Sequence, residues 1–166
     1  ARQRDGQIRL AGGWGSRLGD EASGFWMARQ ALTATLAVVD GLADESELTA
    51  TLLLRFHGSP RRIVRFAAEM PPGELAALAP LVIEAAMEGD PVGRDVLTRG
   101  AAHISKTLRL LGHGVGDPVC LTGGVATAYA RFLPADLAVA LVEPRASALE
   151  GALELAGRGA APRPGV

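Results

Sequence analysis

The sequence predicts an α/β domain with parallel strand pairing, on three observations. Residues 118–122 form a short apolar run ending on Gly123 and Gly124, as a buried strand does when it turns into a helix. A second apolar run at 138–142 follows a short helical stretch, and an amphipathic stretch at 146–156 closes the series. The last part therefore reads strand, helix, strand, helix. The 166 residues, 48% hydrophobic and 21% charged, are enough for one globular domain with a sizeable core.

The elements follow in order. Residues 1–4 and 7–12 read as two short strands around Asp5 and Gly6, a pair that accepts the positive φ of a two-residue hairpin turn. The first strand has almost no length before that turn. With no initiator methionine either, the chain is expected to be a piece of something longer. From Asp20 to Val39 the period becomes helical, with Phe25, Ala28, Leu32, Leu36 and Val39 on one face and Asp40 and Gly41 as the stop. Ser46 to Phe56 is a second helix. Ser59 and Pro60 open a third, and Pro71, Pro72 and Gly73 break the chain. A helical stretch then runs to about Glu88, restarted at Pro80. Asp90 is an N-cap with Pro91 in the first helical position, and Leu97, Ala101, Ile104, Leu108 and Leu111 mark the helix that follows. It ends at Gly112, His113 and Gly114. A short helix spans about 127–132. The tail from about residue 158 to 166, rich in Gly, Pro and Arg, is expected to be disordered.

Composition excludes several classes. The formal net charge is −1 and no basic stripe is present, which argues against nucleic acid as a partner. The single cysteine, Cys120, permits no disulfide framework or thiolate cluster within the chain. No apolar run reaches transmembrane length and the N-terminus lacks the pattern of a signal peptide, so a reducing cytoplasm is the expected location.

Two segments carry the chemistry. In residues 12–24, four glycines (Gly12, Gly13, Gly15, Gly19) and Trp14 precede an acidic pair, Asp20 and Glu21, where an extended segment gives way to a helix. In one reading Gly12 and Gly13 expose backbone to a small polar ligand, Trp14 walls the pocket and Asp20 accepts charge-assisted hydrogen bonds from hydroxyl groups. In the other, Asp20 is an N-cap, Glu21 a favourable first-turn charge and Trp14 a core residue. Capping alone leaves the glycines unexplained, and both roles are compatible at a helix mouth. The second segment, Leu121-Thr122-Gly123-Gly124-Val125, lies at the carboxyl end of an expected strand, where α/β sheets bind ligands. A flat group such as adenine could pack on its bare backbone. A tight turn with no ligand fits equally.

Other residues read as structural. His57, His103 and His113 lack metal-ligand spacing, Cys120 is expected in a core strand, and Ser23 lacks the setting of a hydrolase nucleophile. Arg61, Arg62 and Arg65 read as a solvated face, although they could touch a phosphate.

Taken together, the glycine-tryptophan segment with its Asp20-Glu21 pair, the helical middle, Gly89-Asp90 before a helix, the 121–125 motif and the closing Gly151-Ala152-Leu153 resemble a known family. They look like the C-terminal lobe of N-acetylglucosamine kinase and glucosamine kinase, and of the broader BadF/BadG/BcrA/BcrD-type ATPase family in the actin, sugar kinase and Hsp70 superfamily. The resemblance covers about residues 1–157 and implies a ribonuclease H-like lobe of the actin-like ATPase type with a helical insertion. It implies amino-sugar contacts at Gly13, Trp14 and Asp20, with Ser23 and Gly24 beside the acyl group, and adenosine contacts at Gly123, Gly124 and Val125. Ala22 stands where the family usually has glycine. The resemblance further implies ATP with Mg²⁺ as cofactors, a missing N-terminal lobe that carries the metal carboxylates and the catalytic base, and a homodimer as a further partner. No catalytic or metal residue is then expected in this chain, and the 166 residues alone are expected to be catalytically silent. Two other readings stay open: an activator ATPase of a dehydratase or aromatic-ring reductase, which would hold an iron–sulfur cluster through cysteines, and a non-catalytic sugar- or nucleotide-binding module.

Overall fold

The computed structural model describes residues 1–4 and 7–159. Strands β1 (Arg2–Arg4) and β2 (Gln7–Arg9) pair antiparallel with Arg2 opposite Arg9. The turn expected at Asp5 and Gly6 lies outside the described residues, and β2 stops at Arg9 rather than reaching residue 12.

Helices dominate the rest: α1 (Gly24–Val39), α2 (Glu47–Arg55), α3 (Pro60–Glu69), α4 (Pro72–Ala76), α5 (Ala79–Glu88), α6 (Pro91–Leu110), α7 (Ala126–Tyr129), α8 (Ala135–Ala138) and α9 (Ala148–Gly159). Local chemistry explains most boundaries. In α2, Ser46 and Thr49 form a reciprocal capping box, with the Ser46 amide donating to Thr49 Oγ1 at 2.8 Å and the Thr49 amide donating to Ser46 Oγ at 3.3 Å. Proline occupies the first turn of α3, α4, α5 and α6, where its missing N–H costs nothing. Asp90 caps α6 by accepting the amides of Val92 and Gly93, both at 2.9 Å, and its second oxygen accepts the Leu48 amide of α2 at 2.9 Å. Burial alone would raise this carboxyl. The hydrogen bonds from Leu48, Gly93, Ser46 and Val92 outweigh burial and hold it below the ordinary aspartate range.

Helix α1 is the centre of the core. It packs against α2, α4, α5 and α6, and buries Met27, Ala28, Ala31 and Leu32. Leu48, Leu52, Ile63, Leu75, Val82, Val96 and Leu97 complete that core from the surrounding helices. Helices α5 and α6 approach so closely that a Cβ on Gly93 would stand 2.7 Å from the Ala86 amide nitrogen. The hairpin is fastened to the far end of α6. The Arg2 guanidinium donates to the Leu111 carbonyl at 3.1 Å and to the Gly112 carbonyl, and pairs with Asp117 at 2.8 Å. A cation on these last carbonyls also suits the helix dipole.

Three expectations are corrected. The first helix starts at Gly24, not Asp20. Asp20 and Ala22 have φ of 60° and 67°, outside any α-helix, and Ser23 is the N-cap, accepting the Trp26 amide at 3.2 Å. The runs 118–122 and 138–142 do not form a ladder. They meet in one parallel bridge, Val119 to Leu141, in which the Val119 amide donates to the Ala140 carbonyl and the Val142 amide to the Val119 carbonyl. Pairing is parallel as expected, but α8 occupies the start of the second run, so the layered sheet of an α/β domain is not built among the described residues. Cys120 is exposed rather than core, because this segment buries one face only: Val119 is inside and its neighbour outside. At the other end α9 runs to Gly159, and residues 160–166 lie outside the described residues. No helix is long and apolar enough to cross a membrane.

Candidate functional site

One cleft brings the two glycine-rich segments together. It has a volume of about 720 Å³, within the range of small-molecule sites. Gly13, Asp20, Ser23 and Gly24 line it together with Gly123, Gly124 and Val125. Ala76, Ala79 and Pro80 of α4 and α5, and Ile104 of α6, supply an apolar floor.

The Asp20 side is shaped by a folded loop. Gly12, Gly13 and Gly15 take φ of 76°, 72° and 88°, which a side chain would resist, so the glycines are needed for the path of the loop itself. The Gly15 carbonyl accepts the amides of Leu18 and Gly19, and Asp20 Oδ1 accepts the Gly15 amide at 3.2 Å. Asp20 Oδ2 has no hydrogen-bond partner among the described residues and remains able to accept from a ligand. The Ser23 amide donates to the Asp20 carbonyl at 3.0 Å, and Ser23 Oγ is used as the α1 cap acceptor. Its hydroxyl proton is still available to donate. Gly24 has a packing role as well. A Cβ there would lie 3.3 Å from the Ala79 Cβ and 3.4 Å from the Ala76 Cβ, so its bare backbone lets α1 begin against α4 and α5.

The lining at Gly123 and Gly124 is bare backbone. Gly123 has φ of 104°, and a Cβ added to Gly124 would meet nothing within 4 Å. A planar group could therefore lie on this segment without displacing protein atoms, which fits the adenosine expected there. Trp14 is the exception among the expected residues. It is 79% exposed and lies outside the cleft lining, between two glycines of positive φ.

Ala22 sits at the cleft, 9% exposed, with its φ of 67° in the left-handed region. That backbone explains why glycine suits the position: an alanine there carries about 1–2 kcal/mol of strain.

Sequence reasoning named Glu21 but missed its partner, and missed Tyr129 altogether. Glu21 lines the cleft and its carboxylate stands 3.9 Å from His103 Nε2 on α6, a pairing between segments with no local signal. Tyr129 lines the cleft from α7 and is 2% exposed, with no hydrogen-bond partner for its hydroxyl. Burial pushes its phenol well above the ordinary tyrosine range. An unsatisfied buried hydroxyl costs about 1–3 kcal/mol. The signal that could have pointed to it is Gly100 in the middle of α6, where glycine costs about 1 kcal/mol relative to alanine.

No group of three or more His, Cys, Asp or Glu side chains among the described residues is arranged to hold a metal. The resemblance places the carboxylates for Mg²⁺ outside this lobe. A second cavity of about 410 Å³ is lined by Glu47, Glu84, Glu88 and Asp90. The Asp90 carboxylate there is occupied by three backbone amides.

Comparison with known proteins identifies the family and the fold. The sequence model described as the BadF/BadG/BcrA/BcrD ATPase family matches residues 2–156. Glucosamine kinase GspK of Vibrio cholerae is 26% identical over 155 residues, which cover 93% of this chain and 53% of that protein. A crystal structure described as a candidate N-acetylglucosamine kinase from Chromobacterium violaceum superposes with a TM-score of 0.83 at 35% identity, over 92% of this chain and 53% of that one. The chain thus spans about half the length of the relatives it matches.

Proposed function

Given that the chain belongs to the BadF/BadG/BcrA/BcrD ATPase family, we propose that it forms the C-terminal lobe of an ATP-dependent amino-sugar kinase that works on glucosamine or N-acetylglucosamine. The observation that carries this reading is the single cleft. Two segments far apart in sequence, 13–24 and 121–126, line the same space. One offers a carboxylate and a hydroxyl for a polyhydroxylated ligand, and the other offers open backbone for a flat one.

In this reading the free oxygen of Asp20 accepts from sugar hydroxyls, and the charge on it makes those hydrogen bonds roughly twice as strong as neutral ones. The Ser23 hydroxyl donates to the substituent on the sugar nitrogen. Ala76, Ala79 and Ile104 keep water from that end of the cleft. Gly123, Gly124 and Val125 carry the adenosine. The catalytic base that takes the proton from the sugar hydroxyl, and the carboxylates for Mg²⁺, belong to the part of the protein that precedes this lobe. Transfer of the γ-phosphoryl group then depends on how the two parts position both substrates. A cytoplasmic homodimer is the expected setting.

The test is phosphoryl transfer by the full-length protein, with glucosamine, N-acetylglucosamine and glucose offered separately with ATP. The proposal predicts a phosphorylated amino sugar and a much slower reaction with glucose. A folded, ATP-binding protein that phosphorylates neither amino sugar would overturn it.

A further inference from the structure

The middle of α6 contains a notch that fits one side chain. At Gly100 a Cβ would stand 2.6 Å from Cε1 and 2.8 Å from Cζ of Tyr129, and closer still to its hydroxyl oxygen. Even the smallest side chain at this position would collide with the ring. A mid-helix glycine is disfavoured on its own account, so it needs a reason of this kind. The phenol is buried and finds no hydrogen-bond partner, which makes it a poor choice if filling space were its only task.

The location of Tyr129 supplies the reason. It is the last residue of α7, the short helix that begins directly after Val125. The Ala126 amide donates to the Gly123 carbonyl at 3.1 Å, so the glycine segment is tied directly to the start of α7. Helix α6 in turn supports the cleft through Ile104, which lines it, and His103, which faces Glu21.

We infer that Tyr129 is a positioning residue whose seat against Gly100 sets the distance of the 121–125 segment from α6, and so sets nucleotide affinity without contact between its hydroxyl and the nucleotide. The effect on nucleotide rests on the proposed adenosine role of Gly123 and Gly124; the effect on the segment itself does not.

Three forms of the full-length protein test this: Gly100→Ala, Tyr129→Leu, and the double variant in which the shorter leucine makes room for the added methyl group. Each is read by titration with an ATP analogue, by titration with the amino sugar, and by amide hydrogen exchange at 121–126. In Gly100→Ala the nucleotide should bind at least roughly tenfold more weakly, about 1.4 kcal/mol. Amino-sugar affinity should stay within about twofold, exchange at 121–126 should quicken, and the double variant should recover most of the loss. If Gly100→Ala does not fold, Tyr129→Leu alone should show the same selective loss. Unchanged exchange at 121–126 in either folded single variant overturns the inference. An equal fall in both affinities also overturns it, because that marks a general loss of structure. Faster exchange in a protein whose wild type binds no nucleotide would sustain the notch and defeat the adenosine role.

Discussion

The Asp20 carboxylate accepts the backbone amide of Gly15 at 3.2 Å, five residues back along a loop that turns through three positive-φ glycines. One oxygen holds the loop, and the other makes no hydrogen bond among the described residues. In the proposed site this one side chain would serve both the fold and the ligand.

The first prediction concerns that residue. Asp20→Ala removes both functions and should weaken amino-sugar binding by about 1–3 kcal/mol. Asp20→Asn keeps an acceptor for Gly15 and, because asparagine tolerates the φ of 60°, should keep the fold while losing part of the sugar affinity. Calorimetric titration of the full-length variants checks both. Wild-type affinity in folded Asp20→Ala would remove Asp20 from the site.

Gly124 offers a cleaner separation of binding from stability. A Cβ there meets nothing within 4 Å and its φ is not positive, so Gly124→Leu should change stability by no more than about 0.5 kcal/mol. Its side chain would project where a nucleotide is expected to lie, and nucleotide affinity should fall at least about tenfold. Normal nucleotide titration of this variant would count against the adenosine shelf.

Asp90 governs stability and its dependence on pH. It accepts amides from α6 and from α2, so Asp90→Ala should destabilise the protein by about 2–4 kcal/mol. The folded carboxyl lies below its ordinary value, so its contribution is present above the unfolded value of about 4 and is lost as pH falls through the folded value. Denaturant unfolding at neutral pH and at about pH 3 should show a smaller acid loss in Asp90→Ala than in wild type. Equal acid losses would contradict the assignment.

Ala22 tests the left-handed turn at the cleft. In Ala22→Gly the relief of about 1–2 kcal/mol of strain is offset by a lost buried methyl, about 0.8 kcal/mol, and by the freer unfolded chain, about 0.4–1 kcal/mol. Stability should stay within about 1 kcal/mol of wild type. Ala22→Val, β-branched at a φ of 67°, should lose about 2 kcal/mol or more in the same denaturant experiment. A valine tolerated without loss would show that the turn is not held as described.

What could be read in the sequence was local. Ser46, Asp90 with Pro91, and the proline-led starts of α3, α5 and α6 announce themselves because a cap or a missing N–H acts within one turn, whereas Pro72, read as a break, opens α4. The two cleft segments were legible as glycine clusters next to expected helix starts. Their union in one cleft is a tertiary fact, since nothing in local periodicity relates residue 20 to residue 123. What escaped depends on partners. The start of α1 shifted to Gly24 because positive φ at Asp20 and Ala22 is set by the loop as a whole. The expected strands contracted to one bridge because an apolar run becomes a strand only where a neighbour pairs along it, and here only Val119 and Leu141 do. Glu21 beside His103 and Tyr129 against Gly100 are tertiary pairs, invisible to spacing rules.

The central claim is that one cleft holds an amino sugar against 13–24 and a nucleotide against 121–126. Amide hydrogen exchange on the full-length protein tests it most directly, with glucosamine or N-acetylglucosamine added alone and with a non-hydrolysable ATP analogue added alone. The account predicts that the sugar slows exchange in 13–24 and that the nucleotide slows it in 121–126. Protection by both ligands confined to other parts of the protein, with these two segments unchanged, would contradict it.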